Sequence, residues 1–223
     1  MGTDTVDEKL EGPRGALLRR IAREVRDERV LQALWRVPRE EFVAPGLRVA
    51  AYEDSPLTIG YGQTISQPLI VAMMTAALML KGDEQVLEVG TGSGYQAAVL
   101  SMLAERVVSV ERVPELSVSA RERLRRLGYD NVEVHITTDD LGWPDSAPYQ
   151  AIVVTAASPE VPRELLEQLA EGGRLVIPVG SRDIQELVRI VKTPAGAKRH
   201  NLGPCRFVPL LGKSGWPNSP RAR

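Results

Sequence analysis

The residues with most chemical content form one short run, Glu88-Val89-Gly90-Thr91-Gly92-Ser93-Gly94-Tyr95. Three glycines at alternate positions let the chain turn sharply and expose bare main chain against which a ligand can lie. An apolar run precedes the loop (85–89) and a helical pattern follows it (95–104), so it sits at the carboxyl end of a strand, where open α/β sheets bind ligands. G-x-G-x-G suits a pyrophosphate less well than G-x-G-x-x-G does. Glu111 lies 17 residues after Gly94, at the end of the next apolar run. A carboxylate there can accept hydrogen bonds from both hydroxyls of a ribose. Glu88 leaves two readings open: a buried strand carboxylate satisfied by loop amides, or one that holds a cofactor amino group through water.

These residues need elements to position them. From residue 85 onward, β-like and helical patterns alternate: strands over 85–89, 106–110, 132–136, 149–155 and 174–179, with helices over 95–104, 114–127 and 161–171. Pro114 near a helix start and Gly128 just past its end follow the usual asymmetry of helix termini. Alternation of this kind predicts a mostly parallel, doubly wound sheet covered on both faces. Two later β-like runs, 184–192 and 205–211, have no helix between them and read as an antiparallel pair. Upstream, residues 15–36 carry a helical period, 69–80 read as a buried helix, and 48–66, rich in Gly, Pro, Ser and Thr, read as a long loop of the kind that tends to be functional. The expected organisation is a flexible tail (1–14), a single domain (15–212) and a second tail (213–223). Within the domain, 15–80 form a helical and substrate-loop region and 81–212 the Rossmann-like core.

Composition removes several function classes. Lys and Arg number 28 against 29 Asp and Glu, a formal charge of −1, so no general basic field exists to hold nucleic acid. No apolar run is long enough to span a bilayer, and the polar, acidic start is unlike a secretory signal. Cys205 is the single cysteine, which excludes an internal disulfide and fits a reducing compartment. With two histidines, His135 and His200, a metal site is not expected. The expectation is a cytoplasmic monomer without nucleic-acid, membrane or metal partners. Trp143 reads as a packing residue, His135 as a structural strand residue, and Cys205 as an inert thiol.

The spacing of the glycine loop is typical of S-adenosylmethionine enzymes, and further blocks narrow this. They are V-P-R-E-E-F-V (37–43), L-T-I-G-Y-G-Q-T-I-S-Q-P (57–68), V-L-E-V-G-T-G-S-G-Y-Q-A-A (86–98), V-E-R-V-P-E-L (110–116), L-G-W-P (141–144), V-T-A-A-S-P-E-V-P (154–162), G-G-R-L-V-I-P-V-G (172–180) and R-F-V-P-L (206–210). In this order they resemble protein-L-isoaspartate O-methyltransferases over residues 20–212. The resemblance implies a Rossmann-like class I methyltransferase that methylates the free carboxylate of L-isoaspartyl, or D-aspartyl, residues in damaged proteins and so initiates repair through a succinimide. A same-fold carboxyl methyltransferase acting on another peptide or protein acceptor is the alternative.

Carried over by position, the resemblance makes Ser66 the catalytic serine. The other reading of Ser66 is a loop or helix-capping serine, since Pro68 follows and a helix starts there, and both roles can hold together. On the cofactor side it implies Thr64, Glu88 and the loop Gly90, Thr91, Gly92, Ser93 and Gly94. Further along the chain it adds Glu111, Arg112 and Thr155. On the substrate side it implies Ile59, Gly60, Gln63, Thr64 and Ser66, with Val154, Ala156, Ala157 and Val208 from later segments. The chain departs from the family at one place. Before L-G-W-P the family has G-D-G, whose aspartate binds the adenine amino group, and this chain has Thr137-Thr138-Asp139. Thr138 and Asp139 are therefore the expected cofactor contacts there.

Overall fold

The computed structural model describes residues 12–137 and 140–217. A seven-stranded sheet forms the centre, in spatial order β5-β4-β3-β6-β7-β8-β9. Strands β3 (Gln85–Val89), β4 (Arg106–Glu111), β5 (Val132–Ile136), β6 (Tyr149–Val154) and β7 (Leu169–Gly180) run parallel. Strands β8 (Gln185–Thr193) and β9 (Gly196–Cys205) complete the sheet antiparallel. The chain winds outward from β3 through β4 to β5, then returns to the other side of β3 as β6. This reversal opens a crevice at the carboxyl ends of β3 and β6, where doubly wound sheets bind ligands.

Both faces of the central strands are buried, which explains their near-continuous apolar runs, interrupted by the buried Glu88 in β3 and Ser109 in β4. Val86, Val107, Ala151 and Val153 face one core, together with helices α1 (Gly12–Ile21), α2 (Glu28–Arg36), α3 (Pro68–Ala77) and α4 (Tyr95–Ser101). Leu87, Val108, Ile152 and Leu175 face the other core, with Leu165 of α6 (Arg163–Gln168). Helix α5 (Pro114–Arg126) ends as its sequence dictates. Gly128 takes φ +79°, its N–H bonds to Arg125, and the Tyr129 N–H reaches the Leu124 carbonyl, the pattern of a Schellman cap.

Four sequence expectations are corrected. First, residues 48–66 are not all loop: Leu57–Gly60 (β1) and Gln63–Ile65 (β2) form a hairpin. Tyr61 (φ +54°) and Gly62 (φ +71°) make its two-residue turn, as a type I′ geometry requires. Strands of three and four residues are too short to show a period. Second, the strand partnering β8 is 196–205, not 205–211. Thr193 pairs with Gly196 across a tight turn, and β9 is an exposed, polar edge strand with no apolar alternation to read. Third, α6 is shorter than expected because residues from Leu169 onward already belong to β7. Fourth, segments expected as tails are folded where described. Helix α1 begins at Gly12, and residues 213–217 turn back, with Trp216 N–H bonded to the Leu210 carbonyl at 2.7 Å.

Candidate active site

The glycine loop spans the crevice. The N–H groups of Gly90 and Thr91 bond to the Val110 carbonyl at 2.8 and 3.2 Å, which ties the loop to the end of β4. On its other side, the Thr155 hydroxyl donates to the Gly90 carbonyl at 2.7 Å. A Cβ on Gly90 would lie 2.3 Å from that hydroxyl oxygen, and the residue sits at φ +100°. Only glycine fits. Glu111, 6% exposed, is held by main chain at both oxygens: Gly92 N–H to Oε2 at 2.8 Å and Val113 N–H to Oε1 at 2.9 Å. A carboxylate has about four lone-pair sites, so each oxygen keeps one for a ligand hydroxyl. Beneath the loop, Thr91 and Ser109 share a 2.6 Å hydrogen bond, and Ser109 bonds onward to the fully buried Glu88. Burial pushes the Glu88 carboxyl up to about 8. The Ser109 hydrogen bond opposes the rise and the charge of Glu111 adds to it.

The opposite wall is built by the β1–β2 hairpin. Ile59 Cδ1 lies 3.3 Å from where a Cβ on Gly92 would stand, so the hairpin leans over the loop. Arg39, fully buried, fixes its base through three carbonyls: Nε to Ala51 at 2.8 Å, Nη1 to Ser66 at 2.8 Å and Nη2 to Ser55 at 3.1 Å. These bonds meet the cost of burying a guanidinium, and its charge also lies 5.3 Å from the Tyr95 ring centre. Ser66 is anchored by its backbone carbonyl, and the residue lines the cavity. Capping of α3 falls to Asp54 instead, whose Oδ1 accepts from Leu69 N–H at 2.9 Å while Oδ2 accepts from the Gln67 amide at 3.0 Å. The capping reading of Ser66 is thereby set aside.

A profile described as Protein-L-isoaspartate(D-aspartate) O-methyltransferase matches residues 15–215. The chain belongs to this family. It is 56% identical to Protein-L-isoaspartate O-methyltransferase 1 of Syntrophobacter fumaroxidans, over 88% of this chain and 92% of that one. It is 54% identical to the Protein-L-isoaspartate O-methyltransferase of Methanoculleus marisnigri, over 87% and 89%. A solved protein-L-isoaspartate O-methyltransferase superposes with a TM-score of 0.81 at 30% identity, covering 91% of this chain and 67% of its own. A putative protein-L-isoaspartate O-methyltransferase from Plasmodium falciparum, solved in complex with S-adenosyl-L-homocysteine, superposes with a TM-score of 0.75 at 27% identity, covering 89% and 98%. The fold is that of the class I methyltransferases.

Most residues expected from the isoaspartyl methyltransferase resemblance line one cavity. Gly90, Thr91, Gly92 and Ser93 form its floor, with Glu111 and Arg112 at one side and Thr155 and Ala156 at another. Gln63, Thr64 and Ser66 face them from the hairpin, and Val208 closes the far wall. Six expected contacts lie off the lining. Glu88 is beneath the floor. Gly94, at φ +88°, packs against α5, where a Cβ would meet Leu124 at 3.3 Å. Gly60 is at the exposed hairpin turn. Val154 belongs to the core, and Ala157 holds the wall by its backbone, with N–H to the Val208 carbonyl and its carbonyl accepting from Leu210. Ile59, the sixth, leans on Gly92 from the hairpin. Thr138 and Asp139 lie outside the described residues; their neighbours Thr137 and Asp140 line the cavity.

Sequence reasoning missed several residues. Tyr95, Gln96 and Val113 line the cavity, as does the stretch Pro209–Gly215. The signal for Gln96 was present, since it occupies the first turn of the helix that follows the glycine loop. Trp143 packs rather than lining the cavity: its ring stacks on His135 at 4.1 Å, and its backbone N–H donates to Gln168 Oε1. Burial pushes the Cys205 thiol up to about 11, which makes it inert at neutral pH.

Proposed function

We propose that this chain transfers a methyl group from S-adenosylmethionine to the free carboxylate of L-isoaspartyl, and D-aspartyl, residues in damaged proteins, and so initiates repair through a succinimide. The observation that carries the reading is that the glycine loop, Glu111 and Ser66 share one cavity in a chain of this family. The residues present fit the donor. The loop offers bare main chain where a Cβ on Gly90 would collide with Thr155, and Glu111 has a lone pair left on each oxygen for a sugar diol. When bound, the donor supplies an electrophilic methyl on a sulfonium cation.

The acceptor carboxyl has a pKa near ~4 and is already an anion at neutral pH, so the site needs no general base. Among the described residues, no histidine lines the cavity. The work left to the protein is aim and exclusion of water. Ser66 donates a hydrogen bond to one carboxylate oxygen and turns the other toward the methyl. Arg39 holds the Ser66 backbone so that the hydroxyl is in place before substrate arrives. Ile59 and Val208 cover the site with apolar surface. An isoaspartyl residue carries an extra main-chain methylene, and a wall that pairs with main-chain groups rejects the normal isomer by leaving such groups unpaired. No described helix is long and apolar enough to cross a membrane; the single cysteine suits a reducing compartment, and on that ground we place the enzyme in the cytoplasm. A peptide carrying L-isoaspartate should accept methyl, and its L-aspartyl isomer should not; equal methylation of both, or of neither, refutes the proposal.

A further inference from the structure

One cavity residue has a polar atom that the protein leaves without a partner. Gln96, in the first turn of α4, is 7% exposed and lines the cavity beside Val71 and Ser66. Its Nε2 donates to the Thr75 hydroxyl oxygen at 2.9 Å, and the Thr75 hydroxyl donates to the Val71 carbonyl at 2.8 Å. Those two bonds fix the amide without ambiguity. Thr75 has one proton and directs it at Val71, so toward Gln96 it presents lone pairs only, and the NH2 end must face it. Gln96 Oε1 is left buried without a hydrogen-bond partner. An orphaned buried acceptor costs roughly 1–3 kcal/mol and asks for a ligand that brings a proton.

The chemistry of the ligands narrows the donor. Carboxylates of the methyl donor and of the acceptor carry no proton and are excluded. Ribose hydroxyls face Glu111, and the adenine attached to that ribose stays at the same end. The methionyl arm leaves the sugar on its other side and ends in an ammonium group. Gln96 lies two residues after Gly94, in the helix that the glycine loop leads into, and is 7% exposed, so the group assigned to it is the one lying against the loop, not the peptide arriving afterward. We infer that Gln96 Oε1 accepts a hydrogen bond from the α-ammonium of the methionyl moiety, with Thr75 as the positioning residue that holds the amide in that sense. This rests on the functional reading above, and it adds a specificity element: the site selects donors and products that keep a protonated amino group.

Calorimetry on the unliganded chain tests it with S-adenosylhomocysteine and its desamino analogue, in which hydrogen replaces the ammonium. Gln96→Leu is expected to weaken S-adenosylhomocysteine by roughly tenfold to a hundredfold, the loss of one hydrogen bond to a charged group. The desamino analogue should bind the altered and unaltered chains equally. Thr75 does not itself line the cavity and acts only through Gln96, so Thr75→Val should give a smaller loss with the same ligand dependence. It also serves as the second handle if Gln96→Leu melts early. The inference fails if Gln96→Leu binds S-adenosylhomocysteine within twofold of the unaltered chain. It fails equally if both ligands weaken alike, which marks a structural role. A raised KM for the peptide with unchanged product affinity would move the amide to the acceptor side and also overturn it. An unaltered chain that binds neither ligand brings down the functional reading itself.

Discussion

Glu88 makes the stability of this protein depend on pH in a way that one substitution can isolate. The side chain is fully buried, its Oε1 has no partner, and the Ser109 hydrogen bond reaches only the other oxygen. Its carboxyl rises from 4.5 to about 8, chiefly by desolvation. Below pH 4.5 both the folded and unfolded chains hold this proton, and Glu88 adds no pH dependence. Between 4.5 and 8 the unfolded chain releases it while the folded chain retains it. The folded state then binds more protons, and stability falls by ~1.4 kcal/mol per pH unit. Above 8 both states are ionised and the loss levels off, at about 5 kcal/mol in all. Gln in place of Glu keeps the shape of the neutral acid and cannot ionise. Any offset from its amide is independent of pH, and every other titrating group cancels between the two proteins. Urea unfolding of both chains without ligand at pH 6 and pH 8 should therefore show the Glu88→Gln advantage growing by about 2 kcal/mol between the two values. Curves that stay parallel would mean that Glu88 is ionised and satisfied in the folded state, which would refute the reasoning from burial.

Three further substitutions probe the site. Ser66→Ala should lower kcat/KM for an isoaspartyl peptide by about 10–100-fold, the value of a hydrogen bond to a charged group, and leave S-adenosylhomocysteine affinity within about twofold by calorimetry. Gly90→Ala should destabilise the fold by about 1–3 kcal/mol from backbone strain alone, and also weaken the ligand. Adding Thr155→Ala relieves the collision at the hydroxyl but not the strain at φ +100°, so thermal melting should show partial recovery. Arg39→Lys replaces a three-carbonyl fork by a single ammonium. It should raise the KM for peptide several-fold while the product dissociation constant stays within about twofold; a larger loss of product affinity than of peptide affinity would show that Arg39 supports the loop side instead.

What the sequence disclosed follows from which physical constraints leave a one-dimensional trace. Strands β3, β4 and β6 were legible because burial on both faces demands nearly continuous apolar runs, and Glu111 because the strand–loop–helix–strand unit fixes its distance from Gly94. The glycines announced themselves because a position such as Gly90 admits no side chain at all. By contrast β9 is an edge strand whose exposed residues need only hydrogen-bond to β8, so Gly196–Cys205 carries no apolar signal. The wall formed by Pro209–Gly215 is irregular backbone held through Ala157, a contact about fifty residues distant in sequence. Arg39 lay within a recognised block, yet nothing local tells a buried guanidinium from a solvated one. Its role emerges only when Ala51, Ser55 and Ser66 converge on it. The same holds for Gln96, because an amide acquires direction only from its partner, and that partner is a threonine on another helix. In this protein the parts of the site that need an empty space are written in the sequence, and the parts that need a directed hydrogen bond are written in the fold.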